Sequence, residues 1–177
     1  MPSTVLLVMP RNQFSEEELF PLRDGFQEAG CRVFTLSRTG KEATGINKTK
    51  FTPDGMLADW NKQEGVGMKY DAVIVTGGKG ALKSLWTDDI LPQILTDHAR
   101  AGKTVAGIGF GVGSLAQANI LTGEASGPNT PEFIQLLDDA MIARSDETIT
   151  ETGNILSAQG AGAAEELLTL IFSKLKI

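Results

Sequence analysis

The sequence predicts an α/β protein, a three-layer sandwich with helices on both faces of a mostly parallel sheet. Three observations predict it. Short apolar runs recur at residues 5–9, 71–76 and 104–108, as buried parallel strands require. Stretches with apolar residues at helical spacing lie between them. Glycines stand at the junctions, at Gly30, Gly77, Gly78 and Gly102. Alternation of this kind implies βαβ units and ligand sites beyond the carboxyl ends of the strands.

The elements follow in order. Residues 5–9 form the first strand, and Arg11, Asn12 and Gln13 a loop. The next helix has a capping-box spacing in Ser15 and Glu18, and a hydrophobic staple in Phe14 and Leu19. Leu19, Leu22, Phe26 and Ala29 continue its inner stripe; Pro21 is expected to loosen its start, and Gly30 to stop it. Residues 31–36 read as a second strand. The polar stretch 38–55 leaves two readings open, a hairpin or an irregular excursion, with a turn at Pro53-Asp-Gly55. A short helix is expected over 57–62, a strand over 71–76, and helices over 81–86 and 90–101. The strand at 104–108 follows, then a glycine turn with a new helix. A helix over 131–139, a hairpin of 148–152 with 155–158, and a final helix over 163–175 complete the chain.

Bulk properties narrow the function. A length of 177 residues suits one domain with a full core. The formal charge of −6 argues against nucleic acid or an anionic membrane as partner. No stretch approaches the roughly 20 apolar residues of a membrane span. The first residues lack the basic flank of a signal peptide, so a cytoplasmic setting is expected. One cysteine permits neither an internal disulfide nor a cysteine metal cluster. No metal and no cofactor are expected.

The stretch Thr104-Val-Ala-Gly-Ile-Gly-Phe-Gly-Val-Gly-Ser-Leu-Ala116 reads as strand, tight turn and helix. That is the form of a nucleophile elbow, yet Gly109 stands where the nucleophile would be. The glycine run does not match Gly-x-Gly-x-x-Gly and lies late in the chain, which disfavours dinucleotide binding. Loops 11–14, 77–80 and 109–113 should meet at one end of the sheet.

Taken together, these pieces resemble the ThiJ/PfpI superfamily, which includes protein deglycases and has the class I glutamine amidotransferase-like, flavodoxin-like fold. Tyr70-Asp-Ala-Val-Ile-Val-Thr-Gly-Gly78 resembles the family strand that ends in Pro-Gly-Gly. Gly102-Lys-Thr-Val-Ala-Gly-Ile-Gly-Phe-Gly111 resembles Gly-Lys-x-Val-Ala-x-Ile-Cys-x-Gly. Gly153-Asn-Ile-Leu-Ser-Ala-Gln-Gly160 resembles the family hairpin, and Glu18 stands twelve residues before Gly30 as the family glutamate does. The departures fall on the chemistry. The nucleophilic cysteine aligns with Gly109, the histidine after it with Phe110, a later histidine with about Gly127, and the usual arginine with Gln159.

Little conventional chemistry is left. Cys31, the only thiol, begins a strand at the opposite end of the sheet and reads as a buried residue. His98, the only histidine, lies near a helix end, where an imidazole suits the helix dipole. Ser114 has no histidine nearby and reads as a packing residue. Two roles stand for Glu18: the acid of the capping box, or a carboxyl facing the elbow with a raised pKa, able to act as base or to hold a ligand. The resemblance implies that the amides of Gly78 and Phe110 form an anion site, with Gly77 and Gly109 beside it. Arg11 and Asn12 are either solvated or contact a ligand at the mouth. A glycine at the elbow removes the nucleophile and also relieves roughly 1–3 kcal/mol of backbone strain.

Three functions are therefore expected as alternatives. The first is a non-catalytic member that binds a small metabolite, an anion or a protein partner at a vestigial site. The second is a thiol-independent hydrolase, hydratase or glyoxalase-like enzyme that uses Glu18. The third is a stress or chaperone-like dimer. The resemblance implies a homodimer in each case.

Overall fold

A computed structural model describes residues 2–63, 65–66 and 69–177. The chain runs β1 (Thr4–Val8), α1 (Glu16–Glu28), β2 (Arg32–Ser37), β3 (Ala43–Thr44), β4 (Lys50–Phe51) and β5 (Gly55–Met56). It continues with β6 (Ala72–Val75), α2 (Ala81–Ser84), α3 (Leu91–Arg100), β7 (Thr104–Ile108) and α4 (Val112–Gln117). It closes with β8 (Glu124–Ala125), α5 (Pro131–Asp139), β9 (Ala143–Arg144), β10 (Ile149–Thr152), β11 (Ile155–Ala158) and α6 (Ala164–Leu175).

Seven strands form the central sheet in the order β10-β11-β7-β6-β1-β2-β5. All its pairings are parallel except β10 with β11. Val5 pairs with Val33 on one side and Ala72 on the other, so β1 is central and buried on both faces. Side-chain alternation then sorts the core. Val5, Leu7, Ala72, Ile74, Ala106 and Ile108 pack with α1 and α6. Leu6, Val8, Val73, Val75 and Val105 pack on the opposite face with α2, α3 and Leu115 of α4. Phe26 of α1 meets Phe172 of α6 edge-on, with ring centroids 5.6 Å apart. These are the three layers that the sequence pattern implies.

Several local expectations are revised. The capping box does not form: Ser15 is the N-cap of α1, but its side chain makes no capping bond. Glu18 reaches across to Gly77 instead, while the Ser15 N–H donates to the Gly77 carbonyl at 2.9 Å. A buried amide from another loop offers the carboxyl more than a helix start that water could serve. Phe14 and Leu19 do share one core cluster. Pro21 leaves α1 continuous. The stretch 38–55 holds the β3–β4 hairpin, and the expected helix at 57–62 is a single 3-10 turn, Leu57–Asp59. The parallel pair β8–β9, two residues per strand, had no periodicity to reveal it.

His98 is not a helix-end cap. It is fully buried, its Nε2 accepts the Tyr70 N–H at 3.0 Å, and its Nδ1 lies 2.6 Å from the Ile94 carbonyl. The last turn of α3 lies against the sheet, so the imidazole is drawn into the core. Cys31 is buried at the start of β2, as the sequence suggested.

Candidate functional site: a filled elbow beside a cationic cleft

The elbow is built as its sequence implies. β7 ends at Ile108, a 3-10 turn spans Gly109–Gly111, and α4 begins at Val112. Gly109 has φ +58°, in the left-handed region that a side chain resists. Close packing explains the neighbouring glycines: a Cβ on Gly111 would overlap the Val75 carbonyl, and one on Gly113 the Trp86 indole. Trp86 lies over the turn, its Nε1 donating to the Phe110 carbonyl at 2.7 Å, and its ring meets the Phe110 ring edge-on. Phe110 is thus a half-buried wall residue.

Glu18 occupies the position in front of the elbow. It is 6% exposed, and its Oε1 accepts the Gly77 N–H at 2.7 Å. Its Oε2 lies 2.5 Å from where a Cβ on Gly109 would stand. Burial pushes its pKa up to about 8, against the opposing Gly77 hydrogen bond and with a smaller push from the Glu17 charge. At neutral pH the group is mostly a neutral acid. Of the two roles open to Glu18, the structure therefore places it facing the elbow. Gly77 and Gly78 are also buried, and the Gly77 amide is already engaged by Glu18. Gly78, at φ +114°, lies so close to the loop after β1 that a Cβ would overlap the Gln13 carbonyl.

The predicted site therefore divides in two. Glu18, Gly77, Gly109 and Phe110 form the elbow. Arg11 and Asn12 belong to a separate cleft of about 430 Å³, which none of those four lines. Arg11, Asn12 and Gln13 come to it from the loop after β1, Arg38 from the end of β2, and Lys83 and Ser84 from α2. Asn12 Oδ1 accepts the Thr44 N–H at 2.7 Å, which ties the loop to the hairpin. Arg38, Lys83 and Gln13 were not singled out from the sequence. Gln13 and Arg38 had a signal in their place just past the carboxyl ends of strands; Lys83, inside α2, had none.

The other departures differ in their surroundings. A Cβ on Gly127 would overlap the Phe133 ring, so no side chain fits there without a shift. Gln159 is exposed. Ser114 is buried in α4, and its Oγ has no hydrogen-bond partner. Among the described residues, no group of three or more His, Cys, Asp or Glu is placed to hold a metal ion. Nor is any helix among them long and apolar enough to cross a membrane.

Comparison with known proteins agrees with this architecture. The DJ-1/PfpI family model matches residues 3–174, and the chain belongs to that family. It is 30% identical to an uncharacterised protein of Methanocaldococcus jannaschii over 156 residues, covering 88% of this chain and 74% of that protein. Among solved structures, a ThiJ/PfpI domain protein from Brachyspira murdochii superposes with a TM-score of 0.86 at 25% identity, covering 99% of this chain and 97% of the other. DJ-1beta of Drosophila melanogaster superposes at 0.82 with 22% identity, over 99% and 91% of the two chains.

Proposed function

We propose that this chain is a non-catalytic member of the DJ-1/PfpI family that binds a small anionic metabolite, with the elbow kept as rigid scaffolding. The observation that carries this reading is the Glu18 carboxyl standing where a nucleophile's side chain would be, beside a glycine. Loss of a nucleophile costs on the order of 10⁶ in rate in well-studied hydrolases, and the lone thiol, Cys31, lies at the start of β2, away from this turn. The raised pKa of Glu18 favours a second reading, a thiol-independent enzyme with Glu18 as general base. Turnover of methylglyoxal by wild type and Glu18→Ala separates the two. Equal background consumption is expected. Clear turnover that disappears in Glu18→Ala would replace the first reading with the second.

A homodimer is part of the proposal, supported by family membership, and a cytoplasmic setting is proposed with it. Light scattering on the purified chain is expected to give twice the 18.9 kDa chain mass. A monomer would also remove the dimeric stress-protein alternative.

A further inference from the structure

The strand order reverses between β1 and β6. From β1 the chain adds β2 on one side, then crosses to place β6 and β7 on the other. Loops leaving the carboxyl ends of two such strands diverge and open a crevice, the usual ligand position in open α/β sheets. The cleft described above is that crevice. Its walls come from the segments that follow β1, β2 and β6.

The chemistry of the walls is one-sided. The chain carries a formal charge of −6, yet Arg11, Arg38 and Lys83 line one cleft. All three are exposed. The acid at the rim is committed elsewhere: Asp88 Oδ1 accepts the N–H groups of Ile90 and Leu91 at 2.8 Å each. Its Oδ2 only approaches Arg38 Nε, at 3.9 Å. The Arg38 guanidinium therefore keeps donors for a bidentate anion. Every residue lining the cleft is charged, polar or glycine. No aromatic or large apolar side chain lines it to sandwich a base or ring.

The loop bearing Arg11 is also held in place. Gln13 adopts φ +50°, a conformation that costs a side-chain-bearing residue strain. Its N–H donates to the Thr44 carbonyl at 2.8 Å, and its carbonyl accepts the Gly80 N–H at 3.2 Å. The Ser84 hydroxyl accepts the Arg11 N–H at 3.0 Å and donates to the Gly80 carbonyl at 2.8 Å. The cation-bearing backbone is thereby fixed to both neighbouring segments before any ligand arrives, which lowers the ordering cost of binding.

We infer that the cleft formed by Arg11, Arg38 and Lys83 at the β1/β6 strand reversal is the binding site for a small phosphorylated, non-aromatic metabolite. The inference deepens the binding role proposed above and leaves the question of catalysis to the methylglyoxal assay. The phosphoryl group sits among the three cations, and hydroxyl or carboxyl groups of the ligand face Asn12 and Gln13.

The test is titration of the full chain with inorganic pyrophosphate and with glycerol phosphate at constant ionic strength. Calorimetry gives the affinity, and amide NMR shifts give the location. Saturable binding is expected, with shifts at residues 11–13, 80 and 83–84. Arg11→Gln and Lys83→Gln should each weaken it by about tenfold, and AMP should bind no more tightly than pyrophosphate. Both side chains are exposed, so the variants should keep the wild-type circular dichroism and melting temperature. No saturable binding, or binding that both variants retain in full, would overturn the inference. Shifts centred on Gly77 and Gly109 instead would overturn the cleft while leaving an anion-binding protein. Methylglyoxal turnover would overturn the non-catalytic reading while leaving the cleft.

Discussion

Glu18 and Gly109 share one side chain's worth of space. The carboxyl oxygen Oε2 lies 2.5 Å from the Cβ position that Gly109 leaves vacant, closer than two such atoms can approach. A side chain at position 109 therefore requires the Glu18 carboxyl to shift.

Gly109→Ala should be destabilising by about 1–3 kcal/mol, from left-handed strain at φ +58° and from collision with Glu18. In a Glu18→Ala background the collision is gone, and the same substitution should cost only the strain, about 1 kcal/mol. Urea denaturation of the four proteins gives the coupling energy. Additive effects would show that the two residues do not compete for space.

The buried acid also sets a pH dependence. The folded pKa of Glu18 is about 8 against an ordinary value of 4.5, so the folded state holds the proton more tightly than the unfolded chain. The stability it confers is fully present below pH 4.5 and falls as pH rises towards 8, by about 1.4 kcal/mol per unit within that window. Glu18→Gln keeps an acceptor for the Gly77 amide and removes the titration. Its stability should lose this slope, measured by denaturant unfolding at several pH values.

His98 acts in the opposite sense. Burial lowers its pKa below the ordinary 6.5, outweighing the hydrogen bond to Ile94. Its neutral form accepts from Tyr70 and donates to Ile94. The stability it confers is present above pH 6.5 and is lost as pH falls below that value towards the depressed folded pKa. In the Glu18→Gln protein this loss should be visible below pH 6.5 without the Glu18 slope, until the lowered pKa of Glu16 adds its own loss below pH 4.5. His98→Ala should cost about 2–4 kcal/mol at neutral pH, through a cavity and an unpaired Tyr70 amide.

Trp86 holds the elbow turn from outside. Trp86→Phe removes the donor to the Phe110 carbonyl and should cost about 1–2 kcal/mol. Gly113→Ala pushes a methyl group into the indole and should be at least as damaging. Thermal melts of both, followed by tryptophan fluorescence, check the order.

The fold was legible because its strands and helices carry strong periodic signals. The β1, β6 and β7 runs, the Leu19-Leu22-Phe26 stripe and the glycine stops each act over a few residues. What was hidden depends on distant partners. Glu18 has the spacing of a capping-box acid, and only the approach of Gly77, far along the chain, redirects it. The same holds for Glu16, whose carboxylate accepts the N–H groups of Asn47 and Thr49 and anchors the β3–β4 turn. His98 lies where a helix-dipole role is reasonable, and only the fold shows that its face meets Tyr70. The cationic cleft gathers residues from three separated segments, each unremarkable alone. The elbow glycines, by contrast, were readable as a retained turn without its nucleophile.

The burial of Cys31 gives the molecule a practical character. Its thiol lies at the start of β2, and burial, then the Asp71 charge, raises its pKa above the ordinary thiol value. The thiolate that peroxides and alkylating agents attack is therefore scarce at neutral pH. The chain's one thiol is therefore quiet towards them. That quietness makes the protein a clean background for labelling. In Lys79→Cys, at an exposed position beside the cleft and not among its lining residues, the introduced thiol would be the reactive one, and a fluorophore attached there would report on whether the cleft is occupied.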